Sequence, residues 1–166
     1  MSRRRRKKLE KKPLIIGASV VAVVVIAVVM ALLLPAIVAA SELEDTLNSM
    51  AKVTEPDVVI TDMKADNPIS GGGEVSIGDI ESARSMIERL NTLSEKFVYK
   101  GKETSIGSFD IRFMVRDGDD SWIVYVAKDR LYFEDDGARY AFVPENDDVR
   151  LEYEQFYNTL AFFVRE

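Results

Sequence analysis

Three knots of carboxylates are the residues with the clearest capacity for chemistry: Asp117, Asp119 and Asp120; Glu134, Asp135 and Asp136; Glu145, Asp147 and Asp148. Clustered oxygen ligands suit a hard cation such as Ca²⁺. The first two knots are separated by a turn at Asp129-Arg130, so an up-and-down meander brings both to the same end of its sheet. No D-x-[DN]-x-[DN]-G loop is present, however, and acidic Asp-Gly turns have a conformational explanation, because Asp bonds its own backbone and tolerates a left-handed φ. Solvated turns are therefore the expectation, and no cofactor or metal is expected.

Acid-base chemistry would need a paired carboxylate, for which Asp110 with Asp129, or Glu152 with Glu154, are the nominees. A carboxylate-dependent hydrolase is one alternative reading. The chain has no His and no Cys, which excludes imidazole bases, Ser-His-Asp triads, thiol nucleophiles, Cys/His zinc sites and disulfides together. Gly71, Gly72 and Gly73 lack the Lys-Ser/Thr that a phosphate-binding loop requires and read as a spacer. No catalytic residue is assigned, and the chain is read as non-enzymatic.

What must position these groups begins with an unusual N-terminus. The first 12 residues hold eight of the 22 Lys and Arg and one acid, so the remainder carries 14 basic against 27 acidic residues. That remainder would be repelled by phosphate backbones, and no nucleic-acid partner is expected. Leu14 to Leu34 then runs 21 residues without a charge, and at ~1.5 Å per residue it spans about 31 Å, close to the ~30 Å of a bilayer core. Fourteen of these residues are Leu, Ile or Val, contributing roughly −4 to −8 kcal/mol to insertion. Ten are β-branched, yet in lipid a lone segment satisfies its backbone only as a helix.

Residues 14–34 are thus predicted to contact the lipid bilayer, with the basic stub held on the cytoplasmic side and the rest of the chain extracytoplasmic. A cell-membrane location with a retained signal-anchor is the expectation. Cleavage after Ala40, where Val38 and Ala40 fit a small-residue site, is the alternative and would release a soluble binding or inhibitory domain. A cleaved lipoprotein is excluded by the lack of Cys. No Asn stands two residues before a Ser or Thr, which leans toward a prokaryotic envelope.

The basic leader, the apolar helix interrupted by Pro35 and the sheet-rich remainder resemble the organisation of pilin-like assembly subunits. In that family a glycine precedes the cleaved bond and a glutamate stands fifth in the mature chain. Gly17 fits the first requirement, but the fifth residue is Ala22.

The expected fold is α+β: a membrane helix, then a largely antiparallel sheet of five to seven strands with two amphipathic helices. The stub is 1–12, the transmembrane segment 13–40, a juxtamembrane helix or linker 41–56 and the extracytoplasmic domain 57–166. Ser41 and Glu44 have capping-box spacing, and Leu43, Leu47 and Met50 follow at helical intervals. Strands are predicted at 57–62, 74–77, 97–100, 109–116, 122–128, 131–134 and 138–143. Asp79 is expected to cap a helix reaching Leu93, with Ile80, Ala83, Ile87 and Leu90 on its core face. A last helix should bury Val149, Tyr153, Phe156, Leu160 and Phe163.

Pairing Arg116 with Ser121 sets Val115 against Trp122 and Phe113 against Val124 on the core side. The other side then carries Arg112, Met114, Ile123 and Tyr125, with Tyr132 close by. These five are the candidate face for a protein partner on the extracytoplasmic side. The competing expectation is that the second helix covers them.

Overall fold

A computed structural model describes residues 12–63, 73–103 and 111–165, with side chains from residue 21 to 164. The chain divides into two units, Met1–Ile37 and Val38–Glu166. The basic stub to residue 11, most of the glycine loop, and Phe109 and Asp110 of the fourth predicted strand lie outside the described residues.

Helix α1 runs Lys12–Lys52 with Pro35 inside it. From Val21 to Val38 its side chains are exposed all round except for half-exposed Ala36. At Ala39, which is 1% exposed, a one-sided pattern begins: Ala39, Leu43, Leu47 and Met50 are buried at spacings of four, four and three, and Val53 follows. The segment 41–56, expected as a juxtamembrane helix or linker, is therefore helical to Lys52 and supplies core residues to the second unit.

The rest is a seven-stranded antiparallel sheet in the order β2-β1-β4-β5-β6-β7-β3, with α2 and α3, an α+β fold. The strands are β1 Asp57–Asp62, β2 Glu74–Ile77, β3 Phe97–Glu103, β4 Ile111–Asp117, β5 Asp120–Val126, β6 Leu131–Asp135 and β7 Ala138–Pro144. The helices α2 Ile80–Ser94 and α3 Asp147–Arg165 complete it. Asp79 caps α2, its carboxylate accepting from Ser82 N at 2.8 Å. Asn146 does the same for α3 through Val149 N at 3.0 Å. Because β2 and β3 occupy opposite edges, α2 carries the chain from one edge of the sheet to the other. The β3 edge bears Lys100, Lys102 and a register shift at Gly101, features that discourage further strand pairing.

Both short turns of the meander follow from glycine. Asp117 pairs with Asp120 around Gly118, whose φ is +59°. Asp135 pairs with Ala138 around Asp136 and Gly137, at φ 47° and 73°, the pair of positive values that a type I′ hairpin demands.

One layer of side chains joins the sheet to the helices. Val58, Ile60, Phe113, Val115, Val124, Val126, Leu131, Phe133 and Phe142 pack with Leu47, Met50, Ile87, Leu90, Tyr153, Phe156 and Leu160. The rings of Phe113 and Phe156 lie 6.4 Å apart, and Phe97 meets Tyr153 edge-on at 5.1 Å. Two residues depart from the predicted helix stripes. Ile80 is 42% and Phe163 37% exposed, and Val164 is buried where Phe163 was expected. Ile80 stands at the first position of α2, and the last step of the α3 stripe is four residues rather than three.

Tyr153 does more than fill volume. Its buried hydroxyl reaches Ala127 O at 2.9 Å and Arg130 O at 2.6 Å, closing the turn between β5 and β6. Burial pushes its phenol well above the usual range, so it stays a neutral donor. Tyr153→Phe should leave a turn carbonyl without its donor, at a cost of about 1–3 kcal/mol, read as a lower thermal midpoint with unchanged secondary structure.

Candidate functional site

The first candidate surface is the exposed part of α1. Among the described residues one helix is long and apolar enough to cross a membrane; its best window has a mean hydropathy of 3.2, and none of that window is buried. A soluble protein hides such a surface; here Val23, Ile26, Leu32 and Ile37 each expose more than 60% of their area. The helix is a candidate membrane anchor, able to bury this stripe against lipid. Pro35 costs α1 one backbone bond and sits after Leu34, within the uncharged stretch that reaches Ser41, where neighbouring groups can take up the loss.

The second candidate is the sheet face turned away from the helices. Register places Glu74, Thr61, Arg112, Tyr125, Tyr132 and Ala141 in one row across six strands. Ser76, Val59, Met114 and Ile123 form part of the next row. All five residues expected to share a face do so. Val115 opposes Trp122 and Phe113 opposes Val124 on the other side, as the hairpin reading requires. The expectation that the second helix covers this face is corrected: Ala83, Ile87, Leu90 and Leu93 of α2, and Tyr153, Phe156 and Leu160 of α3, all join the core on the opposite side.

The face is nonetheless no open apolar patch. Met114 and Tyr132 are buried, at 7% and 8% exposure, leaving Arg112, Ile123 and Tyr125 half-exposed. Charge pairs lace it. Arg112 Nη2 donates to Thr61 Oγ1 at 3.1 Å and lies 3.5 Å from Glu74. Arg139 meets Glu134 at 2.8 Å and stacks over the Tyr125 ring at 5.9 Å. Arg130 joins Glu103 at 3.0 Å and Asp129 at 2.9 Å. Desolvation, then the nearby charge of Glu103, raise the phenol of Tyr132.

The carboxylate knots do not converge. Among the described residues no group of three or more acidic side chains is placed to hold a metal. The turns Asp117–Asp120 and Asp135–Ala138 are at one end of the meander, but they stand two strand spacings apart, about 10 Å. Strands β5 and β6 also pair at only two positions, Tyr125 with Tyr132 and Val126 with Leu131, next to their own turn. The Glu145–Asp148 knot lies beyond β7, at the other end, where Asp147 and Asp148 open α3.

Of the two nominated acid pairs, the one that lies wholly among the described residues does not form. Glu152 and Glu154 are two positions apart on a helix and so point to different sides; Glu152 lies 3.6 Å from Lys96. The bonds from Arg130 hold Asp129 below the usual carboxylate range, which keeps it ionised, and Asp110 lies outside the described residues.

Sequence reasoning missed the polar role of Tyr153 and the seam between α2 and α3. For the first, the signal was a tyrosine at the centre of an otherwise apolar stripe. The chain matches no protein-family model, no curated protein and no solved structure.

Proposed function

We propose that the chain is a single-pass membrane protein of a prokaryotic envelope, cytoplasmic at its basic N-terminus, whose α+β domain stands outside the membrane as a non-catalytic interaction or accessory module. The observation that carries the anchor is the change of pattern inside α1. An all-round apolar exposed stretch gives way at Ala39 to a one-sided buried stripe, the signatures of a lipid-facing helix and a core-facing helix in succession. The eight basic residues before the span support the orientation.

The same pattern supports retention over cleavage. Val38 and Ala40, the residues of the candidate cleavage site, lie within α1 rather than in an extended segment, and Ala39 between them is a core residue. The organisation of a pilin-like subunit has less support, because the fifth-position acid is absent and α1 continues through Pro35. The non-catalytic reading rests on the lack of His and Cys and on the separation of Glu152 from Glu154 around α3. Intact mass of protein extracted from membranes tests the retained anchor. A chain of 18.7 kDa is expected; one beginning at Ser41 contradicts it, and one beginning at Ala18 supports the pilin-like alternative.

A further inference from the structure

We propose that the groove between α2 and α3 docks a basic amphipathic helix of a partner protein. The inference rests on the interaction-module reading and gives it a surface. Two adjoining hollows of about 400 and 380 Å³ run along the seam and share Ser85 and Arg89. On α2 their lining extends from Asp79 to Leu93, 14 residues apart, which is about 21 Å of helix, room for almost four turns of a docked segment.

The chemistry of the lining selects the occupant. Its lining includes half-exposed Met86 and exposed Phe163, with buried Leu93 and Phe156 behind them, an apolar strip against which i, i+3, i+4 side chains of an incoming helix would seat. Phe163 has a spacing suited to the core but is turned out to the groove instead. Asp79, Glu81, Glu88 and Glu152 line the hollows against a single cation, Arg89, whose guanidinium lies 5.8 Å over the Phe156 ring. Asp79 is already bonded to Ser82 N, and Lys96 approaches Glu152, so Glu81 and Glu88 are the acids available to a ligand.

The surroundings reinforce this sign. The three helical stretches of the domain, 38–56, 79–95 and 145–166, hold 14 acidic and five basic residues, whereas the arginines of the sheet face are paired with acids. A lipid surface with anionic headgroups would be repelled by the helical layer, and a partner helix bearing Lys or Arg would be attracted and oriented.

The test uses the full chain in nanodiscs of zwitterionic lipid, with empty discs giving the partition background. The probe is a fluorescent helical peptide with Leu along one face and Lys flanking it, and its counterpart has Glu for Lys. Anisotropy should show the Lys peptide binding and the Glu peptide not, with affinity falling as salt rises. Phe163→Ala and Glu88→Lys, both at exposed positions, should each weaken binding about tenfold, while Tyr125→Ala on the sheet face should leave it unchanged. Absence of binding, equal binding of the two peptides, or groove variants that bind like the parent would overturn the groove. Loss confined to Tyr125→Ala would also overturn it, while leaving the interaction-module reading in place. That reading fails separately, through the extracted mass and the membrane sidedness of the domain.

Discussion

Val25→Asp combined with Val29→Asp should remove the chain from the membrane. Both side chains are about half exposed and lie one turn apart on α1. A carboxylate at the centre of a spanning helix costs about 2.5–3.5 kcal/mol, and each lost valine forfeits a further ~0.3–0.6 kcal/mol, so the pair shifts insertion by roughly 6–8 kcal/mol. That is as large as the upper part of the aliphatic contribution of residues 14–34. After alkaline extraction the parent should remain in the membrane pellet, while the double variant should appear in the supernatant or be degraded before export. A Val25→Leu, Val29→Leu control preserves hydropathy and should behave as the parent.

Leu47→Ala probes the other half of the same helix. Leu47 is fully buried among core residues of the second unit, so truncation should cost about 2–5 kcal/mol. For a domain of this size that is a fall in thermal midpoint on the order of 10 °C. Near-ultraviolet circular dichroism of the detergent-solubilised chain would follow it. Val28→Ala, within the exposed apolar stretch, should leave the midpoint where it was. The contrast separates a helix that merely precedes the domain from one that is built into it; equal midpoints for Leu47→Ala and the parent would favour the former.

How much of this was legible depended on the range of the physics involved. Short-range pattern, a β-branched run for β1 at Asp57–Asp62 and alternation for β2 at Glu74–Ile77, located both strands, and a short loop of even length between β4 and β5 was enough to oppose Val115 to Trp122. Local hydrogen bonding likewise made Asp79 recognisable as a cap. The edge position of β3 against β7 was not legible, because it is set by pairing across 36 to 47 residues and leaves no periodic trace. Strand β5 was expected to reach Lys128 but ends at Val126, since Ala127 N turns back to bond Arg130 O at 2.9 Å.

The juxtamembrane boundary was misread in the opposite direction. Capping-box spacing at Ser41 and Glu44 marked a new helix after the membrane segment, yet α1 runs unbroken through both positions and continues for 17 residues past Pro35. The continuation is explained by the burial of Leu43, Leu47 and Met50, whose packing outweighs the loss of one backbone bond. At the candidate interaction face, alternation correctly put Arg112, Met114, Ile123 and Tyr125 on one side. Alternation could not reveal that Met114 and Tyr132 are buried there, because it assigns a side of the sheet and carries no information on tertiary neighbours. The α2–α3 groove was invisible for the same reason: Phe163 falls on the core spacing, and only the packed helices show it turned outward.

The absence of Cys makes the central claim open to a direct measurement, since a single introduced thiol is the chain's sole site for a maleimide. Asp119→Cys places it in the exposed turn between β4 and β5, and Ser2→Cys places it in the basic stub. Intact cells are treated with a membrane-impermeant maleimide, and the mass of the extracted chain is read. The Asp119→Cys protein should gain the label on a full-length chain, and the Ser2→Cys protein should gain it only after the membrane is permeabilised. Labelling of Ser2→Cys in intact cells with Asp119→Cys protected, or recovery of label only on a chain lacking residues 1–40, would contradict a retained anchor with an extracytoplasmic domain.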